Sequence, residues 1–155
     1  MADAKGIMLY LFLSATLCLS VAIVVLVSLP KRCDTIVLKC RDEWVGYNGN
    51  CYYFSNDTAT WKQADDFCKR VYSTLAPLHS LHQVSFLKRF KGTFDYWLGA
   101  VKCEGKWFNS DGSPLPLTFL IRGVEDYAYL NNNGVSSARV YADRRFICYY
   151  SLELN

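Results

Sequence analysis

The sequence predicts an α+β domain carried behind a single transmembrane helix. Three observations point there: an uncharged apolar run near the amino terminus, two capped amphipathic helical segments set among short strand-like ones, and six cysteines that all follow the apolar run. Of the 155 residues, about 115 follow that run, which is room for one ordinary domain and no second core. Aromatic residues make up 15% of the chain and gather after residue 44, as a compact Trp/Tyr/Phe core requires. The formal charge of +3 is spread along the chain, with no Lys/Arg run suited to nucleic acid or to a polybasic membrane patch.

From Gly6 to Pro30 there is no charged residue. As a helix this stretch runs roughly 37 Å, enough to cross a hydrocarbon layer of about 30 Å with some tilt. A cleaved signal peptide is the competing reading, but the apolar part is too long and Ser28-Leu29-Pro30 makes a poor cleavage site. Residues 1–6 are then a cytoplasmic tail, 7–30 a transmembrane signal-anchor, 31–39 a stalk and 40–150 the domain. Lys31 and Arg32 lean toward a cytosolic carboxyl side. The six cysteines and the sequon Asn56-Asp57-Thr58 make sense only in an oxidising lumen, and they outweigh that lean. The expectation is a single-pass type II glycoprotein of the plasma membrane, glycosylated at Asn56, with its carboxyl-terminal domain outside the cell. The tail has no tyrosine for an inhibitory signalling motif, and the span has no charge to pair with an adaptor helix.

Within the domain, Trp44 to Tyr47, a turn signal at Tyr47-Asn48-Gly49-Asn50, and Cys51 to Phe54 predict a strand pair. Thr58 or Thr60 caps a first helix, with Trp61, Ala64, Phe67 and Cys68 on one stripe and Lys62, Asp65, Asp66 and Lys69 facing out. Ser73 to Leu78 reads as extended. Ser80 and Gln83 have the spacing of a capping box for a second helix from Leu81 to Phe90, which Gly92 stops. Tyr96 to Ala100 is a further strand. Gly105, Gly112, Pro114 and Pro116 make Cys103 to Arg122 a long irregular loop. Asp126 to Leu130, Ser136 to Tyr141 and Arg144 to Tyr150, the first two joined by the Asn131 to Gly134 turn, predict a terminal antiparallel sheet of three strands.

The strings Cys40-Arg41-Asp42-Glu43-Trp44-Val45-Gly46-Tyr47, Cys51-Tyr52-Tyr53-Phe54-Ser55, Trp97-Leu98-Gly99 and Phe146-Ile147-Cys148 resemble the signatures of C-type-lectin-like domains of the killer-cell receptor type. Ala128-Tyr129-Leu130, Ser136-Ser137-Ala138-Arg139 and Tyr141-Ala142-Asp143-Arg144-Arg145 narrow this to the C-type lectin-related proteins, the group that includes osteoclast inhibitory lectin. The resemblance implies two helices flanking two small antiparallel sheets. It also implies a surface that serves as ligand for lectin-like inhibitory receptors on natural killer cells.

Spacing alone leaves 15 pairings open for six cysteines. The resemblance implies Cys40 with Cys51 and Cys68 with Cys148, worth about 3 and about 4.5 kcal/mol on the loop-entropy model. A third family bridge would join positions held here by Tyr127 and Val140, so the end of the sheet is expected to be less constrained. Cys33, in the stalk, either bridges to a second copy, making a homodimer, or stays a free thiol. Cys103 has no counterpart in the family pattern. Cys18 reads as an ordinary small apolar residue, with palmitoylation the lesser alternative.

Calcium-dependent sugar binding needs about six to eight oxygen ligands. The loop offers Asp111, but neither a Glu-Pro-Asn or Gln-Pro-Asp tripeptide nor Trp-Asn-Asp, so no metal and no cofactor is expected. No enzyme is expected either. His79 and His82 lack zinc partners, and Asp65 and Asp66 are neighbours on a helix and so diverge. Tyr129, Asn133, Arg139, Tyr141, Arg144 and Arg145 match positions that related ligands use to touch their receptors, and Tyr and Arg supply area and forked hydrogen bonds. The plain alternative is that these arginines merely solubilise a sheet edge. The sequence thus predicts a calcium-independent protein ligand, in a sharper version a virus-encoded decoy for immune evasion. A receptor for a glycan or another protein is the alternative.

Overall fold

The computed structural model describes residues 39–116 and 118–152, together with Gly6, Met8, Leu13, Ser14 and Leu17, which are helical. Two compact units divide the chain, Met1–Val37 and Leu38–Asn155. Among the described residues no helix is long and apolar enough to cross a membrane, and most of the expected span, with Cys33, lies outside them.

The second unit begins with strands β1 (Val45–Tyr47) and β2 (Asn50–Phe54). They are joined by a two-residue turn in which Asn48 and Gly49 both take positive φ, as a twist-compatible hairpin demands. Helix α1 (Trp61–Arg70) starts at Thr60, whose hydroxyl accepts from the Gln63 backbone while the Gln63 side chain accepts from the Thr60 backbone. After β3 (Thr74–Leu75), helix α2 (Leu81–Phe90) starts at Ser80 with half of the expected box. Ser80 Oγ accepts from Gln83 N, but Gln83 Oε1 accepts from His79 N. The Gln83 amide donates inward instead, to the Pro77 carbonyl and the Tyr52 hydroxyl.

Strands β4 (Tyr96–Cys103), β5 (Lys106–Asn109), β6 (Tyr127–Asn131), β7 (Gly134–Ala138) and β8 (Arg145–Ser151) complete the domain. The strand order is β1-β2-β8-β4-β6-β7, with β3 added on β8 and β5 on β4. Two expectations are corrected by this topology. Strand β8 is not the third member of a terminal meander: it pairs antiparallel with β2 and parallel with β4, so it joins the two expected sheets through a parallel contact. The long loop is also not irregular throughout, because Cys103 and Lys106 close a tight β4/β5 hairpin over Glu104 and Gly105. Strand β7 starts two residues earlier than expected and ends at Ala138, before Arg139.

Trp97, Leu75, Leu98, Leu130, Ile147, Leu78, Leu87 and Tyr52 are almost wholly buried. Their burial, at about 25 cal/mol per Å² of apolar surface, is the main drive for folding. One cluster lies under α2 around Leu78, Leu87 and Ile147; the other surrounds Cys68, Cys148 and Trp97. Glycine is required at position 99, where a Cβ would run into the Leu75 carbonyl and the Ser110 hydroxyl. Asp65, expected on the solvated face of α1, is buried against Lys69, whose Nζ stands 2.6 Å away. That salt bridge holds the Lys69 ammonium above its ordinary pKa, chiefly through the hydrogen bond from Nζ to the Asp65 carboxylate. Cys40 is bonded to Cys51 and Cys68 to Cys148, the second bond fixing α1 to β8 in the middle of the sheet.

Candidate partner-binding surface

The β6/β7 hairpin turns at Asn132 and Asn133, between the paired residues Asn131 and Gly134. Its far end is the Tyr127/Ala138 pair, about 13 Å away at the usual rise per residue. The six residues expected to form a contact surface therefore separate into three groups.

Arg139 and Tyr141 form the first, just beyond β7. The Arg139 guanidinium donates to the Tyr141 hydroxyl at 2.7 Å and to Glu125 at 3.1 Å. The hydrogen bonds to the Tyr141 hydroxyl and then to the Glu125 carboxylate raise the pKa of that guanidinium. The Arg139 side chain is 64% exposed, and Tyr141 is exposed as well. This is a pre-oriented aromatic and cationic pair open to a partner.

Tyr129, Arg144 and Arg145 form the second group. Arg144 is only 19% exposed, with its guanidinium carbon 4.0 Å from the Tyr129 ring centre and 4.8 Å from that of Trp97. Its Nε is buried without a hydrogen-bond partner, and the Asp95 carboxylate stands 3.9 Å off. This arginine packs on two rings as much as it faces solvent. Arg145 lies 3.5 Å over the Phe94 ring and donates to the Tyr96 hydroxyl at 3.4 Å.

Asn133 stands alone at the hairpin tip. Its backbone N–H donates to the Asn131 side chain and its carbonyl accepts from Arg122 at 2.8 Å. The tip is tethered from below by Lys91, only 2% exposed, whose ammonium donates to Asn132 Oδ1 at 2.6 Å and to the Phe94 carbonyl at 2.9 Å. Sequence reasoning missed Lys91, Glu125, Phe94 and Asp95. Nothing local marks them, since each partner lies far along the chain from the residue it supports.

In the long loop, one Asp111 carboxylate oxygen accepts from the Ser113 backbone at 2.8 Å and from its hydroxyl at 2.7 Å, so it braces its own turn. These hydrogen bonds lower the Asp111 pKa. Among the described residues no His, Cys, Asp or Glu cluster is placed to hold a metal ion. The same region forms an apolar groove of about 520 Å³ lined by Trp107, Phe108, Pro114, Pro116 and Phe119. Cys103, at the end of β4, is a free and exposed thiol. His79 and His82 are exposed, and Asn56 sits in an exposed bend between β2 and α1.

The Lectin C-type domain model matches residues 57–149. A rat protein, C-type lectin domain family 2 member D11, is 39% identical over 149 residues, covering 90% of this chain and 72% of its own. Human C-type lectin domain family 2 member D is 39% identical, covering 70% of this chain and 58% of its own. A C-type lectin protein of Fowlpox virus (strain NVSL) is 33% identical, covering 87% of this chain and 85% of its own. Among solved structures, the mouse scavenger receptor C-type lectin carbohydrate-recognition domain aligns with a TM-score of 0.66 at 24% identity, over 75% of this chain and 99% of that one. A calcium-independent type II antifreeze protein aligns with a TM-score of 0.64 at 20% identity, over 73% of this chain and 95% of that one.

Proposed function

The chain belongs to the C-type lectin domain family, in the family 2 group and not among enzymes, and from that premise we propose that it is a cell-surface ligand for a lectin-like inhibitory receptor of natural killer cells. The observation that carries the reading is the exposed Arg139–Tyr141 pair, oriented by Glu125 at the end of β7. Tyr and Arg are the side chains most often found at energetic centres of interfaces, and a pair already ordered loses little freedom on docking. Tyr129 and Arg145 extend the surface, Arg144 supports Tyr129 from within, and Asn133 marks its far limit. Recognition in this reading is independent of calcium, because the long loop lacks the tripeptides that supply the ion's oxygen ligands and Asp111 alone cannot replace them.

In this reading residues 7–30 anchor the chain as a type II membrane protein. Residues 31–39 are the stalk, Cys33 links two copies, and Asn56 carries an N-glycan. The Fowlpox relative supports the sharper version in which the chain is a viral decoy that tells the killer cell to spare its host.

The test is binding of soluble lectin-like killer-cell receptors to cells displaying the full chain, with and without a calcium chelator. Binding that resists the chelator and falls for Arg139→Ala supports the proposal. Binding to none of the receptors would refute it, and strict calcium dependence would favour a glycan receptor instead.

A further inference from the structure

Beside Arg144 and Arg145 lies a groove of about 590 Å³, a volume suited to a small ligand, whose walls include Thr58, Phe94, Asp95, Asp143, Arg144 and Arg145. Thr58 is also the third residue of the Asn56 sequon, so the asparagine sits two residues from the groove wall, at most about 7 Å along the chain. The sequon segment is fixed there by the backbone. Ala59 N donates to the Arg144 carbonyl at 2.9 Å, Arg144 N to the Ala59 carbonyl at 3.1 Å, and Ser55 N to the Phe146 carbonyl at 3.0 Å.

We infer that the groove between Phe94 and Arg144–Arg145 is a seat for the innermost sugars of the glycan carried on Asn56, so that the protein's own carbohydrate covers the Arg144–Arg145 part of its docking face. The chemistry fits a neutral, hydroxyl-rich occupant better than a charged one. Two arginines and two aspartates line the same space, so their charges cancel, while together they offer both donors and acceptors to hydroxyl and acetamido groups. Phe94 is half exposed, at 50%, and lines the groove with one ring face under the Arg145 guanidinium, leaving further apolar surface for a sugar's C–H groups. In forming the linkage, the Asn56 side-chain nitrogen gives up a proton and bonds the anomeric carbon of a lipid-pyrophosphate-linked oligosaccharide, and the lipid pyrophosphate leaves. Covered in this way, Arg145 joins the contact surface only in chains without the glycan, whereas Arg139 and Tyr141 stay open in both forms.

The inference rests on the lumenal placement of the domain given above, and its readout needs no receptor. The full chain, purified from mammalian cells, is compared with the same chain after enzymatic removal of the glycan and with Asn56→Gln. Each is labelled with an arginine-selective dicarbonyl and mapped by mass spectrometry. Arg145 is expected to react several-fold faster in the two glycan-free forms, with Arg139 unchanged as internal control. Equal Arg145 labelling in all three forms overturns the seat. An unmodified Asn56 overturns both the seat and the lumenal topology, and a chain that shows the protection yet binds no killer-cell receptor keeps the seat and loses the ligand reading.

Discussion

Trp61 packs its indole 5.0 Å from the ring of Tyr127 while its backbone N–H donates to the Val140 carbonyl at 3.0 Å. The family resemblance implies an absent disulfide at the positions of Tyr127 and Val140, and from it came the expectation of a looser sheet end there. The first residue of α1 ties both segments together without a covalent bond, and its Nε1 is itself held by the Leu98 carbonyl at 2.8 Å. Trp61→Ala is expected to cost about 2 to 3 kcal/mol, below the full cost of a wholly buried Trp because the ring is partly exposed. Amide exchange should quicken across residues 138–142 in particular. Denaturant unfolding with hydrogen exchange measures both, and unchanged exchange in that stretch would remove the indole from this role.

Arg139 and Arg144 are expected to part company under the same substitution. Arg144→Ala strips a guanidinium from the corner formed by two aromatic rings and should destabilise the domain by about 1 to 2 kcal/mol, through lost packing as much as lost charge. Arg139→Ala, on an exposed side chain, should leave stability within about 0.5 kcal/mol while weakening receptor binding about tenfold or more. Thermal melts beside binding titrations on the two variants separate the roles.

Lys91 should control the order of the hairpin tip at Asn133. Lys91→Met leaves the Asn132 and Phe94 oxygens without their buried donor, a loss of about 1 to 3 kcal/mol. Burial holds the Lys91 ammonium below its ordinary 10.5, opposed in part by Asp95 and helped by Lys88. The folded state therefore binds this proton less tightly than the unfolded chain does. Stability is lowest where both are protonated, and it rises with pH from the folded value up toward 10.5. Urea midpoints collected across alkaline pH should show the wild type gaining on Lys91→Met over that window; a constant gap would rule out titration of this lysine.

The two disulfides differ in loop length, with sequence separations of 80 and 11. Replacing Cys68 and Cys148 by Ala is expected to cost about 4.5 kcal/mol, and replacing Cys40 and Cys51 about 3, on the loop-entropy model. Unfolding of the two double variants gives the order directly, and a larger loss from the short loop would point to packing, not chain entropy, as the main source of their effect.

Much of the fold was legible because its signals are local. Asn48-Gly49 specifies a hairpin, Thr58 or Thr60 a helix start, and the Trp61, Ala64, Cys68 stripe a buried face, whereas the reciprocal Gln63 cap on Thr60 went unread. The placement of β8 was not legible, because a strand buried between two neighbours carries the same apolar run whichever strands flank it. Asp65 misled for a related reason: helical spacing puts it on the edge of the polar face, and only Lys69 one turn on explains why it can be buried. At the candidate surface the residue types were readable, and their division into an open pair, a packed group of three and an isolated tip was not. That division depends on Glu125, Trp97 and Lys91, each brought in from elsewhere in the chain.

Strand β8, lodged between β2 and β4 and bonded through Cys148 to α1, is the last element of the domain to be synthesised. The β1/β2 hairpin and the β4–β7 strands can pair before it arrives, but the two halves join only once β8 lies between β2 and β4. Cys68 must wait as a thiol through that interval, in the company of Cys103, which has no partner in the finished domain. With the exposed Cys103 thiol present throughout, the yield of correctly bonded domain follows how quickly Cys148 reaches Cys68.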